Sequence, residues 1–334
     1  MFSAHRPTAA LLIALTLGPA GALASPEAVI DPQAERADVS EWRARRVEAL
    51  TSDNGWLTLT GLFWLQQGDN TFGRAADNSL VLAHPALAEH CGTFNVSGHK
   101  VRFTAATGSG VTAAGQTVSS LELSADSAGN PTVLASGTLR FYLIERAGNL
   151  GVRVRDLNDP HRTGFRGFNY FPVSTDWVFD ARFEPYRPAR HIRIINILGM
   201  EVEYASPGAV VFVKDGREWR LDTVLEEPGD QELFIMFADG TSGHETYGAG
   251  RFLYVALPSA GRTRLDFNKA YNPPCALNDF ATCPLPPQQN RLRLRVEAGE
   301  KSYAGGQAAE HGAGATSGVT SRADVATGPG APAP

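Results

Sequence analysis

The chain is poor in sulfur, with three cysteines and three methionines among 334 residues, and neither sign of charge dominates it. Thirty basic residues stand against 35 acidic ones along the whole chain, a net charge of −5. No basic stripe results, so nucleic acid and anionic membrane surfaces are excluded as partners. Past the N-terminus no apolar run approaches the roughly 20 residues a membrane-crossing helix needs. Internal repeats are also lacking, and so are the familiar cofactor and catalytic motifs. Gly248-Ala249-Gly250-Arg251 lacks the third glycine of a dinucleotide fingerprint and precedes a strand. Gly240-Thr241-Ser242-Gly243 has His244 where a nucleophile elbow needs glycine. His84, His90, Cys91 and His99 fall at spacings that match no standard metal site. We therefore expect no cofactor and no metal, and the sequence sets no oligomeric state.

The N-terminus reads as an export signal. His5 and Arg6 precede the apolar run from Ala9 to Leu17, Gly18-Pro19 breaks it, and Ala22-Leu23-Ala24 suits a signal peptidase. Residues 1–24 are thus expected to be a cleaved signal peptide. No cysteine follows for lipid attachment, so the product is expected in the periplasm or secreted, with no membrane insertion after cleavage. Residues 304–334, almost all Ala, Gly, Ser, Thr and Pro, are expected to be a disordered tail, because they have too little apolar surface to bury.

Between these ends the periodicity predicts an all-β protein with sandwich- or barrel-like antiparallel sheets, in one or two β-modules, opened by a single helix. The helix is expected over 33–50, with Val39, Trp42, Val47 and Leu50 facing inward and Glu35, Arg36, Glu41, Arg45 and Glu48 facing solvent. Short β runs separated by turn signals such as Gly68-Asp69-Asn70 and Gly148-Asn149 then define an N-terminal module over 51–157. Residues 158–190 are aromatic and aperiodic and read as a connection. A C-terminal module over 191–303 contains an Asp215-Gly216 hairpin signal and ends with an expected strand at Arg291–Glu297.

The C-terminal module concentrates the chemistry. Asp239, Thr241, Glu245, Tyr247 and Arg251 lie in a glycine-rich segment whose backbone can approach a ligand closely, and Arg264, Asp266, Asn268, Tyr271 and Asn272 follow along one strand and a rigid turn. These ten are the candidate ligand-binding residues. Asp239, Glu245 and Tyr247 could supply an acid or base and an orienting hydroxyl, and Arg251 could clamp a carboxylate or phosphate. The structural alternative is a tight turn in which Asp239 accepts backbone N–H bonds and Glu245 pairs with Arg251. Cys275 and Cys283, eight apart in a proline-rich loop, are expected to form a disulfide worth about 2.5 kcal/mol. The rival readings are two packed thiols or two metal ligands, although zinc sites favour a shorter spacing. Cys91 is the buried leftover.

The run Phe237-Ala238-Asp239-Gly240-Thr241-Ser242-Gly243-His244-Glu245-Thr246-Tyr247, together with Asp266-Phe267-Asn268-Lys269-Ala270-Tyr271-Asn272-Pro273, Cys283-Pro284-Leu285-Pro286-Pro287 and Ala298-Gly299-Glu300-Lys301, resembles the signature of a bacterial family known as domain of unknown function 1684. The resemblance runs from about Trp42 to Tyr303 and implies no activity. A weaker similarity, at Gly73-Arg74 to Leu82 with His90, is to the opening of forkhead-associated β-sandwiches, which bind phosphothreonine peptides. Arg74 would match their phosphate-facing arginine, but no hydroxyl residue stands just before His90, so only a hint of fold is carried over. Two functions remain from different classes. One is an exported protein that binds a small polar or anionic ligand at the C-terminal cluster. The other is a hydrolase-type enzyme using Asp239, Glu245 or Asp266 as acid and base. A non-catalytic envelope protein, with the cluster as a staple, is the third.

Overall fold

A computed structural model describes residues 30–303. The expected signal peptide, 1–24, and the expected tail, 304–334, lie outside the described residues.

The chain opens with α1 (Pro32–Thr51), started by Asp31, whose carboxylate accepts the Gln33 N–H at 2.9 Å, and by Pro32 in the first turn. Its buried residues are Glu35, Val39 and Leu50. Glu35 was expected on the solvent side. It is instead 3% exposed, because the helix lies along the C-terminal module and Arg264 meets that carboxylate.

Eleven strands follow: β1 (Leu59–Trp64), β2 (Gly68–Gly73), β3 (Leu80–Val81), β4 (Gly92–Ser97), β5 (Lys100–Ala105), β6 (Thr112–Ala113), β7 (Gln116–Thr117), β8 (Ser120–Leu123), β9 (Leu134–Ser136), β10 (Leu139–Arg146) and β11 (Asn149–Asp156). They form two sheets, in the orders β1-β11-β10-β9-β6-β7 and β3-β2-β4-β5-β8. Phe72, Phe94, Phe103 and Phe141 meet between them, with ring centroids 4.8 to 6.4 Å apart. Alternating burial along β4 and β5 puts one face of each strand into this core, as a sandwich requires. Gly68-Asp69-Asn70 is not a turn but the start of β2. Its Asn70 amide donates to Gln66 O and Phe94 O from a buried position, which ties the strand to β4 and to the loop before it.

A short helix, α2 (Pro160–Thr163), leads to β12 (Val178–Ile195), β13 (Glu201–Lys214), β14 (Arg217–Leu225), β15 (Glu232–Phe237), β16 (Arg251–Ala256) and β17 (Arg262–Asp266). Their order is β16-β15-β14-β13-β12-β17, and the two edges lie against each other, so the sheet is a nearly closed barrel. Asp215 (φ 54°) and Gly216 (φ 72°) form the β13–β14 turn with both residues left-handed, the geometry that suits hairpin strands. Val210, Leu221, Leu233, Ile235, Leu253, Leu265 and Phe267 fill the barrel. β12 runs for 18 residues and crosses the expected end of the connection at 190, bending at a register shift between Pro185 and Arg190. Arg291–Glu297 is not a strand. It is held instead at single points, Leu292 N–H to Ala238 O, Gly240 N–H to Leu294 O, and Val296 N–H to the Asp239 carboxylate.

Candidate functional site

The candidate residues divide among four places. At the end of β15 the chain turns through Asp239, and the Asp239 carboxylate is saturated. It accepts from the Thr241 N–H (3.1 Å), the Thr241 hydroxyl (2.8 Å), the Val296 N–H (2.8 Å) and Arg251 Nη2 (3.2 Å). Arg251, wholly buried, reaches on to the carbonyls of Val296 (2.9 Å) and Ala298, so one guanidinium ties β16 to the irregular C-terminal strand-like segment. Burial lowers the Arg251 pKa while the Asp239 charge opposes the shift. Both Asp239 carboxylate oxygens already have donors from within the fold. Gly250, with φ 98°, sits where a side chain would strike the Phe237 carbonyl, so glycine is required for the approach. Glu245 does not pair with Arg251. It lies at the surface against Arg295, which holds its carboxyl below the usual range.

The second place is a groove of about 940 Å3 between α1, the residues after it, and the outer face of the barrel. Its walls include Trp42 and Arg46 of α1, Trp56, Phe234, Tyr254 and Tyr271. Tyr254 stacks between Phe234 (centroids 5.0 Å, 28°) and Tyr271 (6.2 Å, 14°), and the Arg46 guanidinium lies 4.3 Å over the Tyr271 ring. Arg46 is fixed there by Glu300, which is fully buried and also accepts the Asn272 N–H at 2.7 Å. Burial pushes the Tyr271 and Tyr254 hydroxyls up, so both stay neutral donors across ordinary pH. Arg146, another wall residue, is paired to Asp126 at 2.7 Å.

Arg153 stands apart. It is 2% exposed, its guanidinium is 5.4 Å from the Trp56 ring, and its Nε and Nη2 have no hydrogen-bond partner and no carboxylate among the described residues. The other two buried arginines make several hydrogen bonds, although Arg251 Nε, like Nε and Nη2 of the half-buried Arg43, has no partner. Arg155 donates to Gly55 O, the Thr58 hydroxyl and the Tyr142 hydroxyl, and Arg251 is described above. Burial lowers the Arg153 pKa, the neighbouring Tyr142 hydroxyl opposes the shift, and Arg146 and Arg155 add to it. Nothing in its sequence context, GVRVRD, distinguishes it from a solvated strand arginine. Only the packing of the N-terminal sheet against Trp56 and the proline loop buries it.

The third place joins α1 to the end of β17. Asp266 accepts through Oδ1 from the Asn268 backbone N–H (3.0 Å) and side-chain amide (2.9 Å), while Oδ2 has no hydrogen-bond partner. Burial first, and the neighbouring Glu35 carboxyl second, raise Asp266 to about 6. Asn268, fully buried, also bonds both ways with the backbone of Ser174. Asp266, Arg264, Lys269, Tyr271 and Asn272 all line the groove.

Tyr247 belongs to a second cavity of about 780 Å3, lined also by His161, His244, Cys275 and Asp279. The expected disulfide is not formed: Cys275 and Cys283 are free thiols. The Cys283 sulfur accepts the Cys275 N–H at 3.0 Å, and hydrogen bonding between the thiols lowers the pKa of Cys275 and raises that of Cys283. Cys91 is buried in the N-terminal core, which pushes its thiol up to about 12.

The structure thus brings Arg264, Asp266, Tyr271 and Asn272 to one groove, keeps Asp239, Thr241, Arg251 and Asn268 inside the fold, and leaves Glu245 and Tyr247 elsewhere. Sequence reasoning missed Arg46, Arg153, Trp56, Tyr254 and Glu300, since each owes its position to residues far away in the chain.

No curated protein matches the chain. Among solved structures, an uncharacterised protein of Haloarcula marismortui, determined by NMR in solution, is 31% identical over 42% of this chain and 78% of its own, with a TM-score of 0.36. Two structures of forkhead-associated domains align as well, each 16% identical over 28% of this chain. One comes from a study of phosphothreonine-dependent interactions (92% of its own length, TM-score 0.21). The other is the FhaA domain in complex with the intracellular domain of another protein (96%, 0.20). In this chain Arg74 is exposed and paired with Glu89 at 3.2 Å. The model of the family described as Protein of unknown function (DUF1684) matches residues 163–301 of the chain.

Proposed function

We propose that this is an exported, periplasmic or secreted protein that binds a small anionic ligand, a carboxylate or phosphate carried on a ring-shaped or apolar body, in the groove between α1 and the barrel. The observation that carries the reading is Arg153. A buried guanidinium without a counter-charge is costly, and proteins keep such a group where an anion completes it. It lies under Trp56, which forms the groove wall, and the stacked Phe234, Tyr254 and Tyr271 offer an apolar surface along the same groove. Arg153 is not itself a lining residue and meets the groove through Trp56, while Arg46, Arg146, Arg264 and Lys269 line it but each already holds a carboxylate of the protein, so their charge is spent on the fold. The acid–base alternative retains Asp266 alone, because Asp239 is saturated by hydrogen bonds and Glu245 lies at the surface.

The test is a thermal-shift screen of the mature protein against carboxylates, phosphates and neutral sugars, run in parallel on Arg153→Met. Ligand at 100 times its Kd stabilises by about 2.7 kcal/mol, a shift that is easily read. We expect anions to stabilise the wild type and not the variant. Stabilisation by neutral sugars alone, or an equal response from Arg153→Met, would remove the proposal.

A further inference from the structure

We propose that Glu35, Asp38 and Asp266 form a divalent-cation site, of the hard oxygen-ligated kind typified by Ca2+, that fastens α1 to the end of β17. The three residues come from opposite ends of the chain, and the fold brings one carboxylate oxygen of each to within 4.8 Å of the others. That span matches a cation about 2.3 to 2.6 Å from each ligand, since two ligands on opposite sides of Ca2+ stand about 5 Å apart. Mg2+, with ligands at about 2.0 to 2.1 Å, would require the cluster to contract.

The second observation is the state of the two buried members. Glu35 is 3% exposed and Asp266 is 5% exposed. Each has one oxygen engaged, Glu35 Oε2 by Arg264 and Asp266 Oδ1 by Asn268, and each has the other oxygen without any hydrogen-bond partner. The orphaned atoms, Glu35 Oε1 and Asp266 Oδ2, are a prepared pair of buried acceptors without a donor. Asp38 is exposed and opens the third side of the cluster to solvent, so water can complete a coordination shell of six or more oxygens. With no histidine or thiolate in the set, the donors favour a hard cation over a transition metal.

The charges present fit the same reading. Lys269 Nζ lies 2.7 Å from Asp38 Oδ2 and 3.8 Å from Asp266 Oδ2, and Arg264 Nη2 lies 3.9 Å from the latter. These two cations face three carboxylates. A dication would displace the flexible lysine from Asp38 and meet both orphaned oxygens, which neither side chain reaches within hydrogen-bonding distance.

The experiment is isothermal titration of EDTA-treated full-length protein with Ca2+ and with Mg2+, together with melting curves in each. We expect Ca2+ to bind at one equivalent and to raise Tm, with Mg2+ weaker. Asp38→Asn, at an exposed position where the fold is undisturbed, should weaken Ca2+ binding by about tenfold or more, because affinity follows ligand charge. Glu35→Gln should abolish it. No heat and no Tm shift at about 10 mM of either cation, beyond the range of weak extracellular calcium modules, would overturn the proposal. So would an Asp38→Asn protein that binds Ca2+ as the wild type does.

Discussion

Asp239 and Asp266 are both buried carboxylates at strand ends, both in the polar C-terminal module, and both followed two residues later by a side chain that bonds back to them. They do different things. The oxygens of Asp239 take hydrogen bonds from Thr241, Val296 and Arg251 and leave nothing for a ligand. Asp266 has one satisfied oxygen and one bare one beside a second bare carboxylate oxygen, and it faces a groove. The difference teaches that a polar motif is not by itself a site. Where every buried lone pair is matched, the residues hold the fold, and where matching is incomplete, chemistry with something outside the chain becomes available.

The largest effect should come from breaking the saturated side. Arg251→Met removes one partner of a fully buried ion pair and strands Asp239, so we expect a loss of about 3 to 5 kcal/mol in urea denaturation, with no change attributable to the groove. Arg153→Met should have the opposite sign. Replacing an unpaired buried charge with an apolar side chain of similar volume should leave stability unchanged or raise it by about 1 to 4 kcal/mol. A loss comparable to that of Arg251→Met would show that Arg153 is also a staple.

A smaller effect belongs to the second cavity, where His161 is held by Asp159 at 2.9 Å. That hydrogen bond, with the Asp159 and Asp279 charges, raises the His161 pKa above its usual 6.5 although partial burial opposes it. A folded-state pKa above the unfolded one contributes stability that is complete below about 6.5 and is lost as pH rises through the folded value. Tm should therefore fall modestly from pH 6 to pH 8. Asp159→Asn keeps the cap on the His161 N–H but removes the charge, and should flatten that slope. A slope identical in the two proteins would place the titration elsewhere. The smallest effect is expected from Arg295→Ala, which breaks an exposed pair with Glu245 and should leave the urea midpoint where it was.

Much of the scaffold was legible locally. The helix needs only Asp31, Pro32 and the period of Val39 and Leu50, and the Asp215-Gly216 turn needs only backbone preference. The failures have a common cause. Arg291–Glu297 alternates like a strand, yet its partners are a side-chain carboxylate and isolated carbonyls of the loop after β15, which no pattern in its own residues records. Glu35 reads as a solvent-facing helix residue because its partner, Arg264, is far along the chain. The 158–190 connection looked aperiodic because the long strand that begins at Val178 bends and shifts register at its prolines.

The sequence by itself determined that the chain is mostly β, that it opens with one helix, that Cys91 is buried, and which family signature the C-terminal module carries. Those properties follow from residue periods, turn preferences and motifs that span a few neighbours. Only the tertiary structure decided which polar residues are spent on the fold and which are left incomplete. It buried Arg153 beneath Trp56, set Arg46 on Glu300, and brought Glu35 and Asp38 to Asp266. The physical reason is that hydrogen-bond saturation is a property of the space around an atom, and that space is furnished by residues hundreds of positions away.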